Sequence, residues 1–352
     1  MQGIFAESAD RVFVIQRGVL KKIERPQRRL IEEQGTRLAF PVGTVYQWRD
    51  NMMPWRDATH ASPDHNNEHG WAQWEGAGYI RDVDARWAHC VVVIDRDGNI
   101  VETWDQWDSM WAKPHSVHVN PFDPDKHVWI VDDHGHAIHK FTNDGKRIVQ
   151  TLGTPNESGQ DTRHFARPTF MAFSEDAIFV ADGYQNSRVM KFDHAGNFLM
   201  QWGREGQSPD ELRPGYFNSL HGIDVDLESG RVYVNDRANH RIQVFDEDGH
   251  FLNQWRIGER PSDAQYLIVA NGAVWVMDAG TTKILKYDLD GNFLYSWGTW
   301  GTFPGAMWGV HGMSVDDEGN FYIAEVNTGR AQKFVPRPGA NPDLVIRRGT
   351  AE

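Results

Sequence analysis

Cysteine is almost absent from this chain. Its 352 residues include one cysteine, Cys90, so the sequence offers no intrachain disulfide and no cysteine-based zinc site. Long apolar runs are missing too, because no stretch is long enough to cross a membrane. The opening MQGIFAESAD lacks the basic-then-apolar pattern of a secretory signal. We therefore expect a cytoplasmic protein without a membrane partner.

Positive charge is in deficit. Lysine and arginine together number 36, against 49 aspartates and glutamates, which gives a formal net charge of -13. An acidic surface repels phosphate backbones, so we do not expect nucleic acid as a partner. A small-molecule substrate is the partner we expect, and the sequence gives no indication of the oligomeric state.

Hairpin signals, in contrast, recur along the whole chain. The stretches RVMKFDHAGNFLMQWG (188–203), RIQVFDEDGHFLNQW (241–255) and KILKYDLDGNFLYSWG (283–298) align, and CVVVIDRDGNIVETW (90–104) matches them. Each alternates apolar and polar residues around a tight turn that contains glycine, which supplies the positive φ of such turns. A further strand pair precedes each hairpin, so we expect each repeat to form four short antiparallel strands.

Six such units fill the chain, and they recur roughly every 40 to 55 residues. The first joins segment 3–17 to the 90–104 hairpin, and segment 343–349 is a candidate outer strand of the last. A four-stranded sheet that repeats radially is a β-propeller blade. The sequence therefore predicts an all-β fold in which residues 1–352 form a single six-bladed propeller. The other five units begin near residues 113, 167, 218, 263 and 308.

The first unit is interrupted between its second and third strands. Residues 18–89 form an insert that is rich in asparagine, aspartate, proline, histidine and tryptophan. A loop this long inside a compact domain is usually functional or disordered, and tryptophans such as Trp48, Trp55, Trp71 and Trp74 argue against disorder. We interpret it as an ordered lid, with a decorative or dimer-forming loop as the alternative. The candidate lid or substrate contacts are His60, His65, His69 and Trp71.

Histidine stands at the same place in three alternate units. His115, His221 and His311 begin the innermost strands of the second, fourth and sixth units, whereas Thr169 and Gln265 occupy this place in the third and fifth. Alternate blades of a six-bladed propeller lie about 120° apart, so the three imidazoles are expected to converge at one mouth of the channel. Three ligands and an open fourth position are typical of a catalytic metal site. We predict zinc or another divalent transition metal, since histidine also suits iron, manganese and cobalt.

Other polar residues recur without this convergence. The three histidines of DDHGHAIHK (132–140) have the look of a metal cluster, but they fall where neighbouring units have a strand connection. We interpret them as surface residues. Asp132, Asp182 and Asp236 occupy one place in successive units, and we interpret them as turn-capping groups that accept backbone N–H bonds.

Two units carry a more specific pattern. FVADGYQNSRVMKFD (179–193) and VYVNDRANHRIQVFD (232–246) look like NHL-repeat propellers. Together with HFARPTFMAF (164–173), they resemble the peptidyl-α-hydroxyglycine α-amidating lyases, also called peptidylamidoglycolate lyases. The resemblance covers about residues 90–335 and is closest over 164–246. It implies a six-bladed, NHL-like propeller.

The resemblance also implies a zinc-dependent reaction. It places zinc on His115, His221 and His311, the catalytic base on Tyr184 of DGYQNSR, and the substrate carboxylate on Arg237 of DRANHRIQ. In the family, the C–N bond of a carbinolamide breaks to give an amide and glyoxylate. The residue types suit these roles, since a phenol beside a cation can act as a base and a guanidinium binds carboxylate. We therefore expect a metal-dependent lyase that acts on a small hydroxylated amide-type substrate.

Several positions depart from the family pattern. Gly312 stands where the family has a calcium-binding aspartate, so the sequence does not support a calcium site, and Gly309 replaces a methionine. A second substrate-binding arginine of the family has no match by motif, and Arg17 is a candidate only by its location. Three alternatives stay open: a metal-dependent hydrolase of an amide, ester or lactone on the same propeller, a calcium-dependent lactonase-like propeller, and a non-enzymatic NHL interaction module.

Overall fold

The computed structural model of the chain describes residues 1–17, 19–20, 85–86, 88–207, 211–259 and 261–346. Its contacts divide the chain into two compact units, Met1–Arg17 together with His89–Glu352, and Gly18–Ala88. Within the second unit, Val19–Leu20 pairs with Ala85–Arg86 in antiparallel fashion. The candidate lid residues His60, His65, His69 and Trp71 lie outside the described residues, so the lid and the domain boundaries stay predictions.

The described residues form 27 β-strands and three short 3-10 helices, and none of the helices there is long and apolar enough to span a membrane. The helices are Asp105–Met110, Arg237–Asn239 and Pro342–Leu344. The first fourteen strands are β1 (Gly3–Ser8), β2 (Arg11–Ile15), β3 (Val19–Leu20), β4 (Ala85–Arg86), β5 (Val91–Ile94), β6 (Ile100–Thr103), β7 (Pro114–Val119), β8 (Val128–Asp132), β9 (Ala137–Phe141), β10 (Ile148–Gly153), β11 (Pro168–Phe173), β12 (Ile178–Asp182), β13 (Arg188–Phe192) and β14 (Phe198–Trp202). The others are β15 (Arg204–Glu205), β16 (Tyr216–Phe217), β17 (Leu220–Asp226), β18 (Arg231–Asp236), β19 (Arg241–Phe245), β20 (Phe251–Arg256), β21 (Ala264–Ala270), β22 (Ala273–Asp278), β23 (Lys283–Asp288), β24 (Phe293–Trp297), β25 (Val310–Val315), β26 (Phe321–Glu325) and β27 (Arg330–Phe334).

Six antiparallel sheets form the blades. From the inner to the outer strand they are β1-β2-β5-β6, β7-β8-β9-β10, β11-β12-β13-β14, β17-β18-β19-β20, β21-β22-β23-β24 and β25-β26-β27. The inner strands contact one another in a closed ring, in the order β1, β7, β11, β17, β21, β25 and back to β1. This arrangement confirms the predicted six-bladed propeller.

The repeated turn sequence explains the outer half of each blade. In the third blade, the Asp193 carboxylate accepts the Asn197 backbone N–H at 2.8 Å, and Gly196 has a φ of 87°. These two features close a tight hairpin between β13 and β14. Strand β12 is buried along its whole length, whereas β14 alternates half-buried and exposed residues. The alternating pattern of the sequence therefore marks the outer strands, and the apolar runs mark the inner ones.

The last blade has three strands in the described residues. The predicted outer strand at 343–349 is wrong over 343–346, because Pro342–Leu344 forms a 3-10 helix instead. Segment 335–342 contains three prolines, which cannot donate to a sheet ladder. The chain then docks by its side chains, since Ile346 is 5% exposed and belongs to the same apolar cluster as Trp275 and Phe321. Within residues 1–346 as described, no fourth strand pairs with the outer edge of β27.

Candidate metal centre

Each of the three aligned histidines is the second residue of an inner strand, in β7, β17 and β25. A β-bulge lies at each of these places. Such a bulge takes a residue out of the pairing ladder and re-aims its side chain. Every one of the three imidazoles is therefore released from the ladder at the mouth of the channel. The register shifts fall between Pro114 and Ser116, between Leu220 and Ile223, and between Val310 and Gly312.

A recurring carboxylate holds the chain just ahead of the inner strand in the second to sixth blades. It comes from the end of the second strand and accepts a backbone N–H at 2.6–2.8 Å. The structure thus supports the turn-capping interpretation of the recurring aspartates. The pairs are Asp132 with Lys113, Asp182 with Ala166, Asp236 with Asn218, Asp278 with Asp263, and Glu325 with Trp308.

The structure brings His115, His221 and His311 together. Their ring centroids are 5.1 Å apart for His115 and His221, 4.7 Å for His115 and His311, and 5.2 Å for His221 and His311. The planes of the rings cross at 72° to 89°, so the rings are arranged edge to face. One nitrogen of each ring lies within 4.8 Å of the others, which is the arrangement of a group that can hold a metal ion.

Backbone carbonyls of the intervening blades orient all three rings. The Nδ1 atom of His115 lies 2.9 Å from the Thr169 carbonyl oxygen, and that of His311 lies 2.7 Å from the Gln2 carbonyl oxygen. The Nδ1 atom of His221 makes the same contact with the Gln265 carbonyl oxygen. Because a carbonyl only accepts, each Nδ1 must carry the proton, which leaves the Nε2 lone pair available as a metal ligand.

The imidazoles are neutral in this environment. Burial, reinforced by the neighbouring His311 and His221, lowers the pKa of His115 well below its ordinary value. Burial followed by the Arg237 charge does the same to the pKa of His221, and burial lowers the pKa of His311 to about 3. Neutral histidine is the form that coordinates metals, so the cluster is ready to bind at physiological pH.

Tyr184 reaches the cluster from the turn after β12. Its hydroxyl oxygen lies 2.8 Å from Nε2 of His221 and 3.2 Å from Nε2 of His115. Burial raises the pKa of the phenol, and the Arg237 charge opposes this rise. The hydroxyl of the predicted base is therefore within hydrogen-bonding distance of two predicted ligands, at the nitrogen atoms that a cation would use.

Two of the predicted arginines lie at the same mouth. Arg237 begins a 3-10 helix after β18, and its Nε atom contacts the Asp263 carboxylate at 2.8 Å. The side chain of Arg237 is 24% exposed, so solvent reaches it. Arg17 donates to the Pro114 carbonyl at 3.3 Å, and its charge affects the pKa values of both His115 and Tyr184. Positive charge thus surrounds the cluster in a chain that is acidic as a whole.

The pair of Asp133 and Arg167, which sequence patterns did not single out, also lies at this mouth. Arg167 is 4% exposed, and its Nη2 atom lies 3.2 Å from the Asp133 carboxylate. The guanidinium carbon lies 4.6 Å from the centre of the Tyr184 ring, within the range of a cation–π contact. Two weak signals in the sequence point to this pair. Asp133 follows the recurring Asp132, and Arg167 precedes Pro168 in the segment HFARPTFMAF that carries part of the family resemblance.

Aromatic rings pack against the three histidines as well. The ring of Phe170 lies 5.2 Å from His115, 5.1 Å from His221 and 5.9 Å from His311. On its other neighbour, Tyr266, it stacks at 4.1 Å with an interplanar angle of 17°. Rings in mutual contact resist rotation, so this stack fixes the faces of the imidazoles that the backbone carbonyls orient.

Gly312, which stands at the calcium aspartate of the family, lies against the first blade. A Cβ atom at this position would lie 3.1 Å from the Gln2 carbonyl oxygen and 3.3 Å from the Gly3 Cα atom. Both contacts are tighter than ordinary van der Waals packing. The close approach of these two backbones favours glycine here, because any larger residue would have to displace the first blade slightly.

The histidines of the DDHGHAIHK segment are not a metal cluster in the structure. His134 lies 3.5 Å from the Asp133 carboxylate, and His136 accepts the Arg167 backbone N–H at 3.1 Å through its Nδ1 atom. His139 is buried, which makes the surface interpretation wrong for this residue, and it contacts the Thr151 hydroxyl at 3.1 Å. It faces a neighbouring strand instead of solvent because β9 is covered on both sides.

One other group of possible ligands occurs among the described residues, at Asp123, Asp125 and His127 in the turn between β7 and β8. Here the Asp123 carboxylate already pairs with Lys140 at 3.0 Å and with His127 at 2.8 Å. The histidine cluster has no such counter-charge in its centre, so it is the stronger candidate for a metal centre.

Comparison with known proteins supports this reading of the chain. A family model described as the NHL repeat matches residues 217–245. Over 149 residues, which are 42% of this chain and 16% of the relative, the sequence is 36% identical to peptidyl-glycine alpha-amidating monooxygenase A of Xenopus laevis. Over 267 residues, 70% of this chain and 48% of the relative, it is 30% identical to peptidyl-alpha-hydroxyglycine alpha-amidating lyase 1 of Drosophila melanogaster.

A relative without an enzyme name is similarly close. The chain is 33% identical over 202 residues to NHL repeat-containing protein 3 of Homo sapiens, which is 51% of this chain and 54% of that protein. The chain therefore spans less than a fifth of the monooxygenase and about half of each of the other two relatives. Among solved structures, virginiamycin B lyase from Staphylococcus aureus shares the fold, with a TM-score of 0.50, 13% identity, and coverage of 71% of this chain and 89% of that one. This chain is thus a six-bladed β-propeller that carries an NHL repeat at residues 217–245 and whose sequence resembles the peptidyl-α-hydroxyglycine α-amidating lyases.

Proposed function

We propose that this protein is a metal-dependent lyase that breaks the C–N bond of a small N-acyl-α-hydroxyglycine-type substrate. The observation that carries the proposal is the orientation of three neutral, buried imidazoles by backbone carbonyls, with the Tyr184 hydroxyl on two of their Nε2 atoms. Relatives that are named as amidating lyases or monooxygenases support the class of reaction.

The donor set suits zinc or another divalent transition metal. His115, His221 and His311 would hold the ion through nitrogen, the donor that such metals accept readily. Three protein ligands leave a further position for substrate or water, as in catalytic sites. When bound, such an ion supplies Lewis acidity that polarises a substrate oxygen and favours the ionised form of a neighbouring phenol.

Tyr184 is the proposed base. Its oxygen would take the proton of the substrate hydroxyl, and the O–H electrons would become the second bond of a carbonyl. The C–N electron pair then leaves with the nitrogen, which takes up one proton, so that the carbinolamide gives one amide and one glyoxylate without an oxidant or added water. The buried phenol is protonated in the absence of a bound ion, because burial raises its pKa.

Arg237 is the proposed anchor for the substrate carboxylate. Its ion pair with Asp263 fixes the guanidinium at 2.8 Å while a quarter of the side chain stays accessible. A planar guanidinium binds a carboxylate through two parallel bonds, which orients the carbon that reacts. Arg17 lies at the same mouth and would add charge attraction for the same anion.

Metal analysis and a product assay on the full chain test the proposal. We expect about one zinc or other transition-metal ion per chain, its loss in His221→Ala, and release of glyoxylate and benzamide from N-benzoyl-α-hydroxyglycine. Hydrolysis of amides, esters or lactones without glyoxylate would replace the lyase with a hydrolase on the same site. A folded, metal-free protein that turns over none of these compounds would favour an NHL interaction module.

A further inference from the structure

The ion pair between Arg167 and Asp133 differs from the other buried arginine–aspartate pairs of the propeller. Arg188 with Asp182 and Arg241 with Asp236 recur at equivalent places, and their carboxylates belong to the recurring capping set. Asp133 lies one residue beyond that set, and its carboxylate pairs instead with Arg167, whose guanidinium lies over the Tyr184 ring. A pair of this kind is therefore not part of the structural repeat and needs its own explanation.

Arg167 contacts Tyr184 in two ways. The Tyr184 backbone N–H donates to the Arg167 carbonyl oxygen at 3.2 Å, and the guanidinium lies 4.6 Å from the centre of the phenol ring. One residue thus holds both the backbone and the face of the ring. The hydroxyl of the same side chain lies within hydrogen-bonding distance of the Nε2 atoms of His221 and His115.

Asp133 keeps the guanidinium in place. Both side chains are almost completely buried, with 5% of Arg167 and 1% of Asp133 exposed. Burial raises the pKa of the Asp133 carboxyl, but the charges of Arg167 and His134 outweigh it and leave the pKa below its usual range. An ion pair held this deeply loses little mobility when a ligand binds, which makes it suitable for positioning another side chain.

The backbone of Arg167 adds a further constraint. Its φ is 61°, in the left-handed region that is unfavourable for a residue with a long side chain. Gly309 and Ser219 adopt this conformation at the equivalent places of the sixth and fourth blades. The third blade therefore keeps an arginine where the fold itself would accept a smaller residue, and the third blade is also the one that carries Tyr184.

We propose that Arg167, anchored by Asp133, is a positioning residue that holds the Tyr184 phenol over the histidine cluster. The proposal rests on the proposed function, because it assigns Arg167 to the base of that reaction. Arg167 itself does not touch the reacting atoms. Without the Arg167–Asp133 ion pair, the Tyr184 ring should shift slightly relative to the histidine cluster. Misplacement of a catalytic group by about 1 Å can cost up to roughly 100-fold in rate.

The test uses the full chain labelled with 3-fluorotyrosine, which gives nine fluorine resonances for nine tyrosines. Tyr184→Phe identifies the resonance of Tyr184. The variants are Arg167→Gln, the charge-balanced pair Asp133→Asn with Arg167→Gln in case the single change prevents folding, and Arg167→Lys. Arg188→Gln is the matched control, because it also breaks a buried arginine–aspartate pair in the third blade.

Three measurements decide the outcome: the Tyr184 resonance, the zinc content, and kcat and KM for N-benzoyl-α-hydroxyglycine. We expect the double variant to keep its zinc, to move or broaden the Tyr184 resonance, and to lower kcat about 10- to 100-fold with a smaller change in KM. Arg167→Lys should restore part of kcat, since an ammonium also attracts a ring face. Arg188→Gln should leave the resonance unmoved and kcat within about threefold of the parent.

An unmoved Tyr184 resonance in the double variant would overturn the proposal, and so would equal losses of kcat in the Arg167 and Arg188 variants. Failure of the proposed function looks different. In that case the parent protein lacks metal or releases no glyoxylate, and the fluorine resonance alone still reports whether Arg167 positions Tyr184.

Discussion

The even-numbered and odd-numbered blades share one fold but contribute different groups to the candidate metal centre. The second, fourth and sixth blades contribute side chains, and the first, third and fifth contribute backbone carbonyls at the equivalent strand starts. A backbone carbonyl is present whatever the side chain, so the odd blades can carry unrelated residues at this place. The imidazoles belong to His115, His221 and His311, and the carbonyls belong to Gln2, Thr169 and Gln265.

This difference shows how a repeat can divide one task between neighbours. The even blades determine which atoms can bind an ion, and the odd blades determine which nitrogen of each ring is available. A hydrogen bond from the Nδ1 atom of a ligating histidine to a carbonyl fixes the tautomer and the direction of the ring. At the strand starts that meet at the histidine cluster, the two sets of blades should therefore respond differently to substitution, with large effects on zinc affinity in the even set and small ones in the odd set.

Removing an imidazole should have the largest effect. We expect His311→Ala to lower zinc affinity roughly a thousandfold or more and to reduce turnover to background, because two ligands cannot hold the ion tightly. Titration with a chelator of known affinity measures this change. Thr169→Ala at the matching odd position is the control, and equal loss of zinc in both variants would contradict the division between blades.

Removing the phenol hydroxyl should affect catalysis without affecting the ion. Tyr184→Phe should keep its zinc and lose about 10²- to 10⁴-fold in kcat, the usual contribution of a general base. Steady-state kinetics together with metal analysis separate the two effects. Unchanged turnover would remove Tyr184 from the mechanism, even though it lies on two of the ligands.

Pushing an odd-blade carbonyl away should have an intermediate effect. In Gly312→Ala, the new Cβ would crowd the Gln2 carbonyl oxygen that orients His311. We expect zinc affinity to fall about 10- to 100-fold, the usual cost of losing a hydrogen bond that orients a metal-ligating histidine. At the matching place after His115, Ser116 already has a Cβ, and its hydroxyl donates to the Thr169 carbonyl oxygen at 2.7 Å. An affinity that stays constant in Gly312→Ala would show that the carbonyl contact is dispensable.

Lowering the pH should destabilise the metal-free protein. The pKa of His311 is lowered to about 3 by burial, so the unfolded chain takes up this proton near pH 6.5 while the folded chain does not. The free energy of unfolding should therefore fall as the pH drops from about 6.5 towards 3, by about 1.4 kcal/mol per pH unit for each such histidine.

Urea unfolding at pH 7 and at pH 5.5 measures this slope. His311→Asn should reduce the slope of the free energy of unfolding against pH by the contribution of one histidine. His118 is the matched control, since burial lowers its pKa to about 3 as well but it lies outside the cluster. His118→Asn should reduce the slope equally and leave zinc binding intact. A slope that does not depend on His311 would mean that this imidazole titrates normally in the folded chain.

Changing the side chain at the strand start of an odd blade should have the smallest effect on zinc affinity. Thr169→Val removes a hydroxyl that donates to the His221 carbonyl at 2.6 Å, but it keeps the carbonyl that accepts from His115. We expect a loss of about 1 kcal/mol in the free energy of unfolding and a change of less than about threefold in zinc affinity. Thermal unfolding measures the first change and a zinc titration measures the second. A larger loss of zinc affinity would show that the side chain of an odd blade also contributes to metal binding.

Much of this arrangement could be predicted from the sequence. The aspartate–glycine turns gave the number of blades, and the spacing of His115, His221 and His311 gave their convergence, because both follow from a repeat whose geometry is known. The bulges at the strand starts could not be predicted, since pairing register depends on both strands. For the same reason the carbonyl contacts of the odd blades left no trace in the residue types.

The misses have local causes. The outer strand predicted at 343–349 does not form over its first residues, because Pro342 begins a 3-10 helix there, although the apolar pattern suggested a strand. Arg167 was passed over because its partner Asp133 is close only in space, 34 positions away in the chain. A motif comparison finds residues that resemble a family, and it is silent on residues that act through them.

The contact between His311 and the Gln2 carbonyl joins residues 309 positions apart. Contacts of such long range form late in folding, because the loop they close costs the most chain entropy. The ligand set is therefore complete only when the sixth blade has met the first. An ion that binds this set binds only the closed ring, and it stabilises that ring in proportion to the logarithm of its concentration. Zinc in this protein would stabilise the closure between the first and sixth blades as well as take part in catalysis. Its uptake would report the last step of folding.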